Sequence, residues 1–292
     1  QQAVLDEVSQ AQNAIFMALA VLNSQLEEMA AEVSDCPQVD KEASSPGLYD
    51  NISRSDSGAG AADQTPEERI KSKVGDEAVA EALIELANQN GANLEDVAKL
   101  LEQKIAPDTI AQLIKNNANL GDIAVNAQTL LDRGVKVELV NGWLNNKTHL
   151  NDAIAIMNQG VDLNLLGTSS QVGDFTGLTG ASVNEVVSRI PADAKIEHWI
   201  PDPGRIEEGM NFKWKDANGK TWILRMHGPD SNPLIAGSNA NAANGWVLRV
   251  QFAGKYMDAT GKFYTPNALS NPASSKYDPQ GANNTHIPIQ EP

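Results

Sequence analysis

Residues 210–227 read MNFKWKDANGKTWILRMH, and their reading decides the fold of the chemically equipped part of the chain. Met210, Phe212 and Trp214 alternate with Asn211, Lys213 and Lys215. That period of two marks a half-buried strand. Asp216-Ala217-Asn218-Gly219 supplies the turn, and Lys220 to His227 runs back as a second strand. Outward from this hairpin, Gly245 to Phe252 reads as a third strand. Lys255 to Asp258, a turn at Ala259-Thr260-Gly261, and Lys262 to Tyr264 read as a second hairpin. Upstream, Ser182 and Glu185 form a capping-box pattern ahead of Val186, Val187 and Ile190, and Pro191 stops that helix. Downstream, a tail rich in Asn, Pro and Ser ends in Thr285-His286-Ile287-Pro288-Ile289. Residues 181–292 are therefore expected to form an α+β domain, a helix followed by an antiparallel meander sheet of about four strands.

The rest of the chain reads as mainly α. Gly160 to Gly180 holds five glycines among 21 residues, so 167–180 is expected to be a loose Gly-rich connector. Over 65–166 a degenerate repeat appears. Asn93-Leu94-Glu95-Asp96 recurs as Asn119-Leu120-Gly121-Asp122 and, more weakly, as His149-Leu150-Asn151-Asp152. The leucines stand 26 and 30 residues apart, the length of a helical hairpin, so stacked helical pairs are expected. The recurrent Asp suits the positive end of a helix dipole better than metal ligation, and His149 stands at a cap position. Thr65-Pro66-Glu67-Glu68 is the start signal of the first pair. Residues 34–64 are poor in large apolar side chains and read as a disordered linker. In 1–33, Leu5, Val8, Gln12, Ile15, Leu19, Leu22, Leu26, Met29 and Val33 trace a heptad seam. Such a helix needs a partner: another helix of this chain, a second copy, or an upstream domain.

Charge and residue usage divide the chain the same way. The net charge is −16, with 11 Lys+Arg against 27 Asp+Glu up to Gly180 and 11 against 11 from Ala181 onward. The acidic segment repels phosphate, whereas the neutral one can hold a local basic cleft. Trp199, Trp214, Trp222 and Trp246 and three of the four histidines (His198, His227 and His286) fall in the neutral part. Cys36 is the one cysteine, which excludes an internal disulfide and reads as an incidental thiol. No apolar run approaches the ~18 residues of a membrane span, and no basic n-region opens the chain.

Arg225 and His227 stand two apart and share one strand face. Arg249, on the third strand, comes beside them if the strands pair, and His286 comes there if the tail folds back. Two imidazoles and guanidinium groups suit metal-independent RNA cleavage. A base takes the ribose 2′-OH proton, an acid protonates the leaving oxygen, and arginine holds the phosphoryl oxygens. Which histidine is the base stays open. His198 reads as structural and the tryptophans as core. No cofactor is called for: the chain has no HExxH, no paired cysteines, no GxxxxGK[ST] loop and no dinucleotide fingerprint. Asp230 and Asp258 are too separated to build a metal cage.

With RMHGPD (225–230), NGWVLRV (244–250), KYMD (255–258) and THIPI (285–289) in order, the stretch from about Ile190 to Ile289 resembles the polymorphic toxin type 30 (bacterial toxin 30) domain. The resemblance implies a ribonuclease module of a larger bacterial toxin, secreted or delivered into a target cell. It implies RNA as substrate and a cognate immunity protein as partner. Carried onto this sequence, it makes His227, His286, Arg225 and Arg249 the catalytic set. Thr285, Asp230 and Lys255 become substrate-binding residues. The helical region would then be a carrier segment. Two other readings compete: a toxin with another target, such as DNA or another phosphodiester, and a non-enzymatic helical-repeat interaction protein.

Overall fold

The computed structural model describes residues 64–232, 240–270 and 273–292. The seam expected in 1–33, residues 34–63 of the linker expected over 34–64, and Cys36 lie outside the described residues.

The helical region is built from α1 (Pro66–Val74), α2 (Glu77–Gln89), α3 (Leu94–Glu102), α4 (Pro107–Lys115), α5 (Leu120–Asp132), α6 (Val137–Asn145) and α7 (Leu150–Asn158). Thr65 and Glu68 close a reciprocal capping box on α1. Asn93 and Asn119 accept the amides of Glu95 and Asp122 at the starts of α3 and α5. The helices end alike: Gly91, Lys104, Asn117, Gly134, Lys147 and Gly160 all have φ between 53° and 87°. The next amide then bonds back across the turn, as Ile105 does to the Leu100 carbonyl and Val135 to Leu130. These turns recur every 13 residues except between Asn117 and Gly134. There α5 has 13 residues where α3 and α7 have nine, one helical turn more. That extra turn is the physical origin of the two repeat lengths seen in the sequence.

Alternate helices stack, α1, α3, α5 and α7 in one row and α2, α4 and α6 in the other. Asn141 ties neighbouring turns by accepting the Ala106 amide and donating to the Lys104 carbonyl. Asn164 does the same one pair later, with Lys136 and Gly134. Of the recurrent aspartates, Asp96 and Asp122 sit in first turns. Asp152 is buried and takes a hydrogen bond from His198 Nδ1 at 2.7 Å, linking α7 to the next domain. His149 caps α7 without a side-chain bond.

A 3₁₀ turn (Leu163–Leu165) and α8 (Val183–Ser188) lead into an antiparallel sheet. Its strands are β1 (Lys195–Glu197), β2 (Gly209–Lys215), β3 (Thr221–His227), β4 (Val247–Phe252), β5 (Lys255–Met257), β6 (Phe263–Tyr264) and β7 (Ile287–Pro288). They follow sequence order β1 to β6, and β7 pairs with β4 beside β5. The observed class is thus the expected one, a helical region followed by an α+β domain with an antiparallel meander. The sheet exceeds the expected four or so strands because β1 and β7, only three and two residues long, are too short to show a period. Two short helices, α9 (Pro266–Ser270) and α10 (Pro279–Asn284), sit in the tail.

The sheet has two chemically different faces. Met210, Phe212, Leu224, Met226, Leu248 and Val250 point one way into an apolar core that runs without a break from Ile70 to Ile289. The helical repeats and the sheet therefore share one core. Asn211, Arg225, His227, Arg249 and Tyr256 fall on the opposite face by strand alternation and register.

The loose connector expected over 167–180 is instead a fixed strap. Phe175 and Leu178 are fully buried, and the Phe175 ring packs 5.8 Å and 5.7 Å from Trp214 and Trp222. The Arg189 guanidinium donates to the Asp174 and Thr176 carbonyls, and the Gly177 and Gly180 amides bond to Ala259 and Pro288. Two large apolar side chains outweigh the glycines, because buried apolar area offsets the entropy of ordering a short loop.

Candidate active site

The polar sheet face forms the floor of a cavity of about 340 Å³. Its walls are the 199–206 loop, the 240–242 segment, α9 and the α10 end that carries Thr285 and His286. Strand pairing places Arg249 directly opposite Arg225, and His227 opposite Val247. The tail is stitched on by Leu248–Ile287 pairing and by the Ile289 amide on the Trp246 carbonyl. Asn241 Nδ2 donates to the Asn283 and His286 carbonyls and fixes the tail beside the cavity. The outcome brings the His286 ring to 6.2 Å from the His227 ring, edge to face.

Both imidazoles are anchored alike. Nδ1 of His227 is 2.8 Å from the Gly228 carbonyl, and Nδ1 of His286 is 2.9 Å from the Ala282 carbonyl. A carbonyl only accepts, so each Nδ1 carries the proton and each Nε2 keeps its lone pair. His227 is 2% exposed and meets the outside only through the cavity. Burial pushes its pKa down from the ordinary 6.5 to about 4, and the Arg225 and Arg249 charges push the same way. Burial, with Arg249 next, pushes His286 down to about 3. Both rings are neutral near physiological pH while the cavity is empty of anions.

The two arginines have no carboxylate partner among the described residues. Their Nε atoms are buried without an acceptor. Burial lowers the Arg249 guanidinium from its ordinary range. Aromatic faces hold both forks: Arg225 lies 5.0 Å from the Trp199 ring and Arg249 4.4 Å from the Tyr256 ring. Gly209 makes room for Trp199, since a Cβ there would stand 2.6 Å from the indole and 2.7 Å from the Met226 carbonyl oxygen. Two unpaired cations side by side on one floor repel each other, and an anion between them relieves that repulsion.

The remaining sequence-derived candidates fall in three different places. Asp230 lines the cavity, but Arg205 occupies its carboxylate at 2.7 Å. Burial would raise that carboxyl, yet the Arg205 bond and the Asn232 amide outweigh it and hold the pKa low. Thr285 is fully buried in the wall, its hydroxyl donating to the Ala282 carbonyl. Lys255 is exposed and not part of the cavity lining, because its neighbour Tyr256 takes the inward position. Asp258 binds its own turn and the Tyr264 hydroxyl. Trp199, Tyr256 and Arg205 were missed from sequence. Only Tyr256 left a signal: strand alternation across the Ala253-Gly254 turn puts it on the Arg249 face. No group of three or more metal-binding side chains occurs among the described residues.

The depressed imidazoles have a consequence for stability. Above pH 6.5 the histidines are neutral whether folded or unfolded; as the pH falls toward 4, only the unfolded chain takes up the His227 proton. Folding stability is therefore lost in that window, by on the order of 3 kcal/mol for His227 alone. The depressed carboxyls of Asp230 and Asp258 withdraw stability only below their ordinary 3.8, a separate window. The urea midpoint should fall steadily from pH 6.5 to 4, and His227→Gln should flatten that fall. A midpoint unchanged until pH 4 would contradict neutral, desolvated rings.

Fold and site together define a class: an α+β module with an enclosed cationic cavity bearing two imidazoles. Residues 185–290 match the family model described as bacterial toxin 30, and every residue lining the cavity lies within that match. The match covers the C-terminal part of the chain, which is thus similar to bacterial toxin domains; the helical repeats fall outside it. Neither the comparison with curated proteins nor that with solved structures gives a match.

Proposed function

We propose that this toxin module is a metal-independent endoribonuclease, with His227 and His286 as the acid–base pair and Arg225 and Arg249 as the phosphate clamp. The observation that carries the reading is the meeting in one cavity of two anchored imidazoles and two guanidiniums that have no carboxylate partner among the described residues. A phosphodiester seated on the two forks places its reacting oxygens between the rings. Rings 6.2 Å apart leave room for a phosphorus centre with a hydrogen bond on either side.

One Nε2 accepts the 2′-OH proton as that oxygen bonds to phosphorus. The 5′ oxygen leaves and takes a proton from the other ring, giving a 2′,3′-cyclic phosphate and a 5′-OH. The second ring must be charged beforehand. The arginine charges help keep both rings neutral, so an incoming phosphate that neutralises them raises the proton affinity of both rings. Substrate thus turns on its own acid. Asp230, with Arg205, fixes the 199–206 wall, and Thr285 fixes the tail.

The same reading makes an immunity protein the natural partner, covering the cavity mouth, and delivery into a target cell the natural route. No helix among the described residues is long and apolar enough to cross a membrane.

The full chain incubated with RNA and EDTA should give cyclic-phosphate ends, while DNA of the same sequence stays whole. Cleavage of DNA, or loss of RNA cleavage with EDTA, would replace this reading with a different phosphodiesterase.

A further inference from the structure

We infer that the cavity accepts one unpaired nucleotide at a time, so that the substrate is single-stranded or looped RNA and paired RNA is excluded. The inference rests on the ribonuclease reading and adds the substrate class. Two independent observations carry it.

The first is depth. The groups that would do the chemistry lie deep: His227 on the floor is 2% exposed, and Arg225, Arg249 and His286 are half-buried, with Ala242, Leu269 and Ala282 around them. The rim is open at Ile200, which is 75% exposed, and at Asp202, Pro266 and Ser270. A phosphate reaches both rings only if its nucleotide leaves the helical stack and goes down between the 199–206 loop and α9. A cavity of about 340 Å³ has room for a nucleotide and not for a base pair with its neighbours. Base-paired RNA keeps its phosphates on the outside of a wide helix and must first unpair, at a few kcal/mol per nucleotide.

The second is charge. Proteins that hold a duplex or a long strand track its backbone with many Lys and Arg side chains. Here the cations lining the cavity are Arg205, Arg225 and Arg249, and Arg205 is paired with Asp202 and Asp230. Among the described residues the exposed rim offers an isoleucine, a proline, a serine and an aspartate, and no cation. The anion-binding capacity is thus concentrated on one phosphate at the floor. Ile200 and Trp199 give the accompanying base an apolar wall.

The test uses the full chain and one end-labelled RNA strand, free or annealed to its complement. Annealing should slow cleavage on the order of 100-fold, the equivalent of a few kcal/mol of unpairing. On the free strand, log kcat/KM should fall with log salt at a slope on the order of −1, as for one or two phosphate contacts. Equal cleavage of free and annealed strands, or a salt slope steeper than about −4, would overturn the inference and leave the ribonuclease reading standing. Failure to cut either strand, with the His227→Ala chain indistinguishable from wild type, would overturn both.

Discussion

Replacing either His227 or His286 with alanine is expected to slow RNA cleavage by about 10²–10⁴-fold. The two rings stand 6.2 Å apart with their Nδ1 atoms tied to backbone carbonyls, so the two Nε2 atoms are the groups left for proton transfer. Loss of either ring removes one half of a concerted transfer. The double variant is therefore expected to be little worse than the worse single one, because the pair acts as a unit. His198→Ala supplies the contrast. That ring is exposed and bonded to Asp152 at the seam with α7, so its loss leaves cleavage near wild type. Steady-state rates on a defined single-stranded RNA check this. Full activity in either the His227 or the His286 variant would remove that ring from the chemistry.

The second large effect combines loss of activity with gain of stability. Arg249→Met should lower kcat/KM by about 10²–10³-fold, the usual effect of removing one preorganised charge-stabilising donor. The same change should raise folding stability by about 1 kcal/mol. Burial disfavours the charged form of Arg249, and it faces Arg225 across the β3–β4 pair with no carboxylate among the described residues to neutralise it. Methionine keeps the length and the Tyr256 contact while removing the desolvated charge. Urea unfolding beside kinetics separates the two effects. A variant less stable than wild type and still active would mean that Arg249 is a structural residue.

The hairpin at 210–227 was legible because one sheet face is apolar and the other polar, which imposes alternation on Met210 to Lys215. The same alternation put Arg225 and His227 on one face, and the register with β4 added Arg249. His286 was harder to place. Nothing local directs a tail of Asn and Pro back to β4; two strand residues and the Asn241 bonds do so, and such long-range pairings leave no period. The strap at 167–180 was misread for a related reason. In composition its four glycines outweigh Phe175 and Leu178, and the burial of Phe175 depends on Trp214 and Trp222 far along the chain. Lys255 shows the limit of motif reading: it shares a motif with Tyr256, but one residue of offset sends the two side chains to opposite faces. The repeat, by contrast, announced itself through its caps, and the break from 26 to 30 residues recorded the longer α5.

The most direct measurement is an NMR titration of the histidine ring nitrogens in the full chain, with and without a nucleoside 3′-phosphate. Free, His227 and His286 should remain neutral until the pH approaches about 4 and about 3. With the nucleotide bound, both should titrate at clearly higher pH, and Arg249→Met should abolish the joint shift. A nucleotide that binds while only one ring responds, or neither, would mean that the imidazoles and guanidiniums do not act on a common phosphate.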